Sequence, residues 1–583
     1  MADSAAAALL QACGLPRAWA GQDAWRVLEI RCDRGLHFLS TWQAWKNDPL
    51  RPRMLHYVSL TAAPPHIDEV LACAEAFPEL LALAKELAPQ WFGLIPGFHR
   101  LTLDGGRVLL TLCVGDLTPL LRAQQFAADS VYLDPDSAFA STWNTWTAKA
   151  LARCCRRGTR LAVSVDAADL RTELTQCGFE IESSQAEPPC GRMHGQFNPR
   201  WTIKNTRDPA IGRAVTVGTC AVIGAGLAGA SVAVALARRG WQVQVLDQSD
   251  APATGASGLP VGLVAPHVSA DDCALSRLSR SGVRLMLHQA RSLLQAGQDW
   301  DATGTLERRV DGATELPSIW HQQAAWLKPA QLVRAWLAQP GVTFQGGANV
   351  AALRPCGDEW DVLDAQGVVL ARASRVVFAN ARGALPLLET LQTALPTLGL
   401  HVNQLPAMHG VRGQLSWAMH LGAPDAAFPP FPVNGAGSVV PKVPTDDVPE
   451  GFAWYVGSSY QPDSRPESPD EKNHAANFGR LHKLLPELSQ ALAKQFVEGP
   501  INAWKNTRCV TADRLPVVGP LYEADHPSLW ICAGMGSRGL SFSVLCAELL
   551  AARWGAEPLP VDAGLARSLN ALRGTAAAPG IFE

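Results

Sequence analysis

The sequence predicts an α/β protein made of two Rossmann-like units, the second interrupted by an inserted domain built on a mixed sheet. Three features predict it. Up to about residue 190, short apolar strands alternate with helical patterns, the mark of a parallel sheet with helical crossovers. After Gly218 a strand, a glycine-rich turn, a helix and a second strand follow without interruption. Between about 400 and 510, Val-rich and Trp-rich stretches of strand character break the alternation of the second half. A length of 583 residues also exceeds what one hydrophobic core organises, at roughly 100–200 residues per domain. The expected division is 1–190 for the first unit, 191–217 for a linker and 218–583 for the second unit.

In the first unit the strand candidates are Arg26 to Ile30, Leu55 to Leu60, Val108 to Val114, Ser130 to Leu133 and Arg160 to Val165. From Gly191 to Arg213 the pattern lapses into Gly, Pro, Asn and Thr, with Arg192, Arg200, Lys204, Arg207 and Arg213 set against only Asp208. That composition reads as a linker.

The second unit opens with the apolar strand Cys220 to Ile223, which runs into Gly224-Ala225-Gly226-Leu227-Ala228-Gly229 and the helical stretch Ala230 to Arg239. In a GxGxxG turn the first glycine allows the tight bend, the second lets backbone approach a pyrophosphate, and the third lets helix pack on strand. The helix N-terminus then offers unpaired N–H groups to the phosphates. The strand Gln242 to Leu246 ends at Asp247, whose carboxylate is placed to accept hydrogen bonds from ribose hydroxyls. The unit describes a dinucleotide site without separating FAD from NAD.

Composition narrows the function. Hydrophobic residues at 48% and charged residues at 18% give a globular chain. A net charge of −3 excludes a basic coat, so any nucleic-acid contact is local. No stretch reaches ~18 consecutive apolar residues, and the start lacks the basic region of a signal peptide, so a cytoplasmic protein without a membrane partner is expected. The 14 cysteines show neither zinc-ligand spacing nor a disulfide framework, and no metal is expected.

Beyond Asp247 the sequence resembles the glycine oxidase and D-amino-acid oxidase superfamily. Thr254-Gly255-Ala256-Ser257-Gly258 and Gly262 to His267 look like its second flavin-contacting segment. Val376 to Ala381 resembles the strand and turn beneath the adenine end. Gly534-Met535-Gly536-Ser537-Arg538-Gly539-Leu540, ahead of the helical stretch Val544 to Leu550, resembles the turn facing the flavin ring. The resemblance implies an FAD-binding Rossmann domain with an inserted mixed-sheet substrate domain. Its cofactor-binding residues are Gly224, Gly226, Gly229, Asp247, Ser257, Gly258, Gly536, Ser537 and Gly539. Leu259-Pro260 stands where the pattern has asparagine after Gly258, a departure at the flavin contact.

A closer resemblance covers nearly the whole chain. Trp326-Leu327 with Pro329-Ala330, the Val411-Arg412-Gly413-Gln414 turn, Arg508 to Gly519 and Gly536 to Gly539 are similar to the bifunctional tRNA 5-methylaminomethyl-2-thiouridine biosynthesis family. In the first half, Gly14 to Gly21, Val27 to Ile30, Gly35 to Trp45, Leu55 to Ser59, Pro96 to Arg100, Gly115-Asp116 and Tyr132 to Asp134 follow in family order. That family fuses an S-adenosylmethionine-dependent methyltransferase to an FAD oxidoreductase acting on the wobble uridine of tRNA. Here the methyltransferase motifs are degraded. Arg31-Cys32-Asp33-Arg34-Gly35 stands where a glycine-rich loop is needed, Thr61 where an acid is needed, and Pro135 where glycine follows Asp134. Binding of S-adenosylmethionine is therefore in doubt.

The implied substrate is an N-substituted glycine, whose carboxylate wants a guanidinium fork. Arg508 aligns with the carboxylate-binding arginine of the glycine oxidase pattern, and Arg538 lies in the flavin-facing turn; these two are the catalytic candidates. Arg514 is a third, although Asp513-Arg514 also reads as a local ion pair, and His267 reads as a structural hydrogen-bonding histidine. The alternative is a free-standing glycine or sarcosine oxidase, which shares every flavin motif but has no use for the first half. The partner expected is tRNA, held on restricted basic strips. One is the linker with Phe197 and Trp201 among its cations; the other is the turn with Arg153, Arg156, Arg157 and Arg160.

Overall fold

The computed structural model describes residues 4–573 apart from 33, 136–142, 166, 184–192, 202–213, 312–313, 421–426, 446–450 and 525–526. They form two compact units: the chain up to Thr216 together with Ala551–Arg567, and Val217–Glu523 with Pro527–Leu550 and the chain from Ser568.

The first unit is built on an eight-stranded sheet of β1 (Ala24–Ile30), β2 (Met54–Thr61), β3 (Gly97–Leu103), β4 (Val108–Val114), β5 (Ala128–Leu133), β6 (Cys155–Val163), β7 (Phe179–Ser183) and β8 (Met193–Phe197). The order is β3-β4-β2-β1-β5-β6-β8-β7, with β3 and β8 running against the rest. Every residue of β2 and β4 is buried, as expected for central strands covered on both faces. Val27, Tyr57 and Leu110 pack on one face with Trp42 and Trp45 of the helix Leu36–Asn47, while Leu28, Val58 and Leu161 serve the other face.

Two boundaries differ from expectation. The segment expected to open the linker contains β8, which pairs with both β6 and β7 and buries Phe197 against Phe179 at 5.1 Å between ring centroids. Its glycine and polar composition hides the strand. Gly195 is required because a Cβ there would lie 2.1 Å from the Glu180 carbonyl oxygen. The second difference is Ala551–Arg567, a segment from the far end of the chain that completes the first unit. Arg26 donates to the carbonyls of Gly555 and Ala556, Arg100 donates to that of Pro558, and His56 lies 3.6 Å from Glu557. Leu559, Val561 and Leu565 of this segment are buried.

The second unit holds a six-stranded sheet in the order Val342–Gln345, Gln242–Leu246, Thr219–Ile223, Arg375–Phe378, Leu529–Ala533 and Val517–Pro520, parallel except for the last strand. The helices Leu227–Arg238, Ala274–Leu293 and Gly539–Gly555 pack closely beside it. A Cβ at Gly282 would lie 1.5 Å from the Ser541 carbonyl oxygen, and the buried pair Arg239–Glu548 joins the first helix to the third at 2.9 Å. The inserted domain is a mixed eight-stranded sheet that includes Thr305–Asp311, Met408–Met419, Gly437–Pro444, Phe452–Gly457 and Asn502–Thr511. The expected turn Val411 to Gln414 lies inside the long strand Met408–Met419, paired along its length with Asn502–Thr511. No helix among the described residues is long and apolar enough to cross a membrane.

A fragment ending near residue 205 therefore lacks part of its own core. Loss of three buried aliphatic side chains at about 1.5–3 kcal/mol each costs it about 4.5–9 kcal/mol. Thermal unfolding of that fragment, with and without a peptide spanning 551–567 added in trans, measures the deficit; equal melting temperatures in the two cases refute it.

Candidate active site

The second unit encloses a cavity of about 1150 Å³, lined at one end by the turn after Thr219–Ile223 and at the other by strands of the inserted sheet. Gly224 has φ of 108°, and a Cβ there would lie 2.8 Å from the backbone of Ala379 and Asn380. A Cβ at Gly229 would lie 1.8 Å from the Gly224 carbonyl oxygen, so helix and turn meet only because both positions are bare. Gly226 faces the cavity opposite Ser257, with 3.0 Å between its would-be Cβ and Ser257 Oγ.

Asp247 also lines the cavity. It accepts from the Ala225 N–H at 2.7 Å and from the Ser249 N–H at 2.9 Å, with lone pairs left for a ligand. Ser257 Oγ accepts from Leu227 N–H, the first amide of the Leu227–Arg238 helix, at 2.9 Å. Gly258 closes the Gly255–Gly258 turn, where a Cβ would lie 2.5 Å from the Ala253 carbonyl oxygen. Gly536, Ser537 and Gly539 line the cavity at the start of Gly539–Gly555, and Gly536 has φ of 56°. Leu259, the departure from the asparagine pattern, lines it too. All nine expected cofactor residues except Gly229 and Gly258 border this space, and those two shape its turns.

These groups fit FAD. The glycine-rich turn leaves backbone bare beside a helix N-terminus, and the carboxylate of Asp247 keeps lone pairs with which it could accept from ribose hydroxyls. Asn380 and Asn434 line the cavity, and each has a buried Oδ1 without a hydrogen-bond partner among the described residues.

Arg508 enters from the strand Asn502–Thr511. Its guanidinium donates to Ser458 Oγ and lies flat over Gly413 on the neighbouring strand, where a Cβ would come within 2.6 Å of Nη2. Burial lowers the pKa of this arginine, which remains cationic in any accessible range. Arg538 lines the same cavity; burial lowers its pKa while nearby Glu307 works against the shift. Glu307 in turn is held below its ordinary value by a 2.6 Å hydrogen bond from His321.

The remaining candidates fall outside the cavity lining. Arg514 is exposed, and the expected Asp513–Arg514 pair does not form: Asp513 binds Arg573 through both oxygens, at 2.9 and 3.0 Å. His267 hydrogen-bonds Ser276 Oγ through Nδ1 at 2.9 Å, and its backbone N–H donates to Ser279 Oγ. Sequence reasoning missed Ser458 and Tyr460, which line the cavity from the short link between Phe452–Gly457 and Gln461–Pro462, and Trp504 and Asn434, which line it from strands. Gly413 stood in a quoted motif, but its use as the seat of Arg508 needs the cross-strand register.

In the first unit, Arg31 and Arg34 adopt φ of 78° and 44° in the loop after β1, left-handed conformations that glycine takes freely and arginine takes at about 1–2 kcal/mol each. Glu29 at the end of β1 is occupied internally by His37 at 2.9 Å and Ser59 at 2.6 Å, and Thr61 Oγ1 donates to the Ala63 carbonyl. Of the basic strips, Arg156 pairs with Asp129. Arg157 donates to Asn198 Oδ1 and the Trp201 carbonyl, so it joins the two strips into one surface. Arg192, Lys204, Arg207 and Arg213 lie outside the described residues. No group of three or more potential metal ligands occurs among the described residues.

Comparison with known proteins follows the same division. The FAD dependent oxidoreductase family model matches residues 219–553, more than half of the chain, and an S-adenosyl-L-methionine-dependent methyltransferase model matches residues 78–193. The tRNA 5-methylaminomethyl-2-thiouridine biosynthesis bifunctional protein MnmC of Albidiferax ferrireducens is 69% identical over 98% of this chain and 97% of its own length. The protein of that name from Polaromonas sp. is 47% identical over 98% of this chain and 94% of its own. Among solved structures, glycine oxidase from Geobacillus kaustophilus aligns with 63% of this chain and 100% of its own at 16% identity and a TM-score of 0.47.

Replacing Gly226 with Leu fills the space in front of Ser257, so the purified variant is expected to be colourless where the parent is yellow. Flavin released on denaturation, measured by absorbance, checks this, and a flavin content equal to that of the parent contradicts it. By its oxidoreductase and methyltransferase domains and its full-length identity to such relatives, the chain belongs to the bifunctional tRNA 5-methylaminomethyl-2-thiouridine biosynthesis family.

Proposed function

We propose that the second half removes the carboxymethyl group oxidatively from 5-carboxymethylaminomethyl-(2-thio)uridine at the wobble position of tRNA, leaving 5-aminomethyl-(2-thio)uridine. The observation that carries this reading is a desolvated guanidinium, Arg508, opening into the same cavity as the glycine-rich turn. Bound FAD supplies the two-electron acceptor. The α-carbon of the glycine moiety gives up a hydride and its nitrogen a proton; water then adds to the C=N bond, releasing glyoxylate and the primary amine.

Arg508 binds the carboxylate bidentately, with its fork held flat over Gly413 and steadied by Ser458. A guanidinium fixed in place orients the carbon without needing a general base, because the neutral amine is the reactive form. Arg538 adds a second positive charge at the flavin-facing turn. The tRNA partner is supported by the names of the full-length relatives. The joined strip of Arg157, Arg200 and Trp201 supplies cations beside an exposed ring, the kind of surface a phosphate backbone uses.

For the first half we infer a methyltransferase fold without cofactor binding. Side chains fill the loop after β1, and the acid that would hold the ribose is Thr61.

Three measurements test these readings. In a deletion strain, mass spectrometry of wobble nucleosides is expected to find the carboxymethylaminomethyl form accumulating; accumulation of the aminomethyl form instead overturns the oxidative role, and no change favours a free amino-acid oxidase. Arg508→Lys keeps the charge but loses the fork, and is expected to raise KM at least about tenfold while flavin content stays at the parent level. Calorimetry of the full chain with S-adenosylmethionine is expected to show no micromolar binding; a micromolar Kd refutes the inferred loss.

A further inference from the structure

A carboxylate seat alone does not distinguish a modified uridine from any other N-substituted glycine. The carboxylate carbon of the substrate lies four bonds from C5 of the uracil, a reach of about 5 Å. With the carboxylate on Arg508, the base must therefore rest against whatever lines the cavity next to that arginine. Two aromatic side chains line it, Tyr460 and Trp504. Trp504 packs into the apolar cluster of Val261, Trp326, Leu415 and Tyr455. Tyr460 is 55% exposed although it borders the cavity, and it is close enough to Arg508 to act electrostatically on it. A large ring left open at the mouth of a site gains most by covering a flat apolar surface, and a nucleobase offers one.

The second observation is Asn434. The residue lines the same cavity, and its Oδ1 is buried with no hydrogen-bond partner among the described residues. Leaving an amide oxygen dry and unpaired is costly unless a ligand supplies a donor. The uracil edge presents the N3–H donor beside a carbonyl acceptor, and an asparagine amide presents the complementary acceptor and donor.

We propose that Tyr460 and Asn434 form a nucleobase subsite at the mouth of the cavity, the phenol ring stacking on the uracil face and the amide reading its N3 edge while Arg508 holds the carboxylate. The inference rests on the oxidative function proposed above and adds the means by which a base is selected.

The test compares two substrates of the holoenzyme, the free nucleoside 5-carboxymethylaminomethyluridine and N-ethylglycine, which carries the same amine and carboxylate without a base. The quantity read is the ratio of their kcat/KM values. Tyr460→Ala is expected to lower that ratio on the order of ten- to a hundredfold, and Tyr460→Phe, which keeps the ring, to hold it within about threefold of the parent. For Asn434 the probe is the N3-methylated nucleoside, which cannot donate. The parent is expected to discriminate against it at least about tenfold, and Asn434→Ala to lose most of that discrimination at unchanged flavin content. A ratio in Tyr460→Ala within twofold of the parent overturns the stacking role. Discrimination that persists in Asn434→Ala, or a loss of flavin in that variant, overturns the edge-reading role. A parent enzyme that oxidises neither compound but converts the carboxymethylaminomethyl form in tRNA overturns this inference and leaves the oxidative function standing; one that converts none of the three overturns both.

Discussion

The helix that begins at Leu227 reaches its place only because two residues have no side chain. A Cβ on Gly229 would lie 1.8 Å from the Gly224 carbonyl oxygen, and one on Gly224 would lie 2.8 Å from the backbone that follows the neighbouring strand. Steric exclusion at these contacts fixes the height of the helix above the sheet. With that height set, Ser257 meets the first helical amide, Asp247 meets the Ala225 N–H, and bare backbone faces the cavity at Gly226. The cofactor end of the site thus follows from backbone packing, and its polar groups are arranged upon it.

The substrate end obeys a different constraint. Arginine on a strand ordinarily sends its head group to solvent, yet Arg508 lies across the sheet because Gly413 leaves a gap in the neighbouring strand. Partial burial there disfavours the charged form and lowers the pKa of the guanidinium. The same device, glycine beneath a large group, recurs at Gly282 beneath the Ser541 backbone, where it brings two helices together instead. In one protein the missing side chain serves both helix packing and the seating of a buried charge.

The legible parts of the molecule were those fixed by local chain chemistry. The strands around the glycine-rich turn, the acid after the second strand and the flavin-facing turn could be read because each is a short run with its own geometric requirement. The Val411 to Gln414 segment was misread as a turn, since glycine inside a strand looks like a break until its partner strand is known. Met193–Phe197 was lost in a linker for a related reason: a five-residue strand with glycine at its centre has too few alternations to register. The ion pair assigned to Asp513 and Arg514 went instead to Arg573, sixty residues away, because adjacent side chains need not face each other. Tyr460 and Asn434 left no local signal at all, as their use depends on which strands converge at the cavity.

The first unit contains Ala551–Arg567, and this has a temporal meaning. Residues Arg26, His56 and Arg100 leave the ribosome early, while the carbonyls and carboxylate they engage at Gly555, Ala556, Glu557 and Pro558 emerge about 350 residues after the last strand of their sheet. At roughly 5–20 residues per second this is an interval of about 20–70 s. During it the oldest part of the nascent chain waits for a segment that brings Leu559, Val561 and Leu565 to its core, while the second unit also waits for Leu529–Ala533, Gly539–Gly555 and the chain from Ser568. Both units are therefore completed only near the end of synthesis, the first by Arg567 and the second by the chain from Ser568. Gene fission between the halves would strand the first product without the segment that completes its core, which gives the methyltransferase-like unit a physical reason to stay fused to its neighbour.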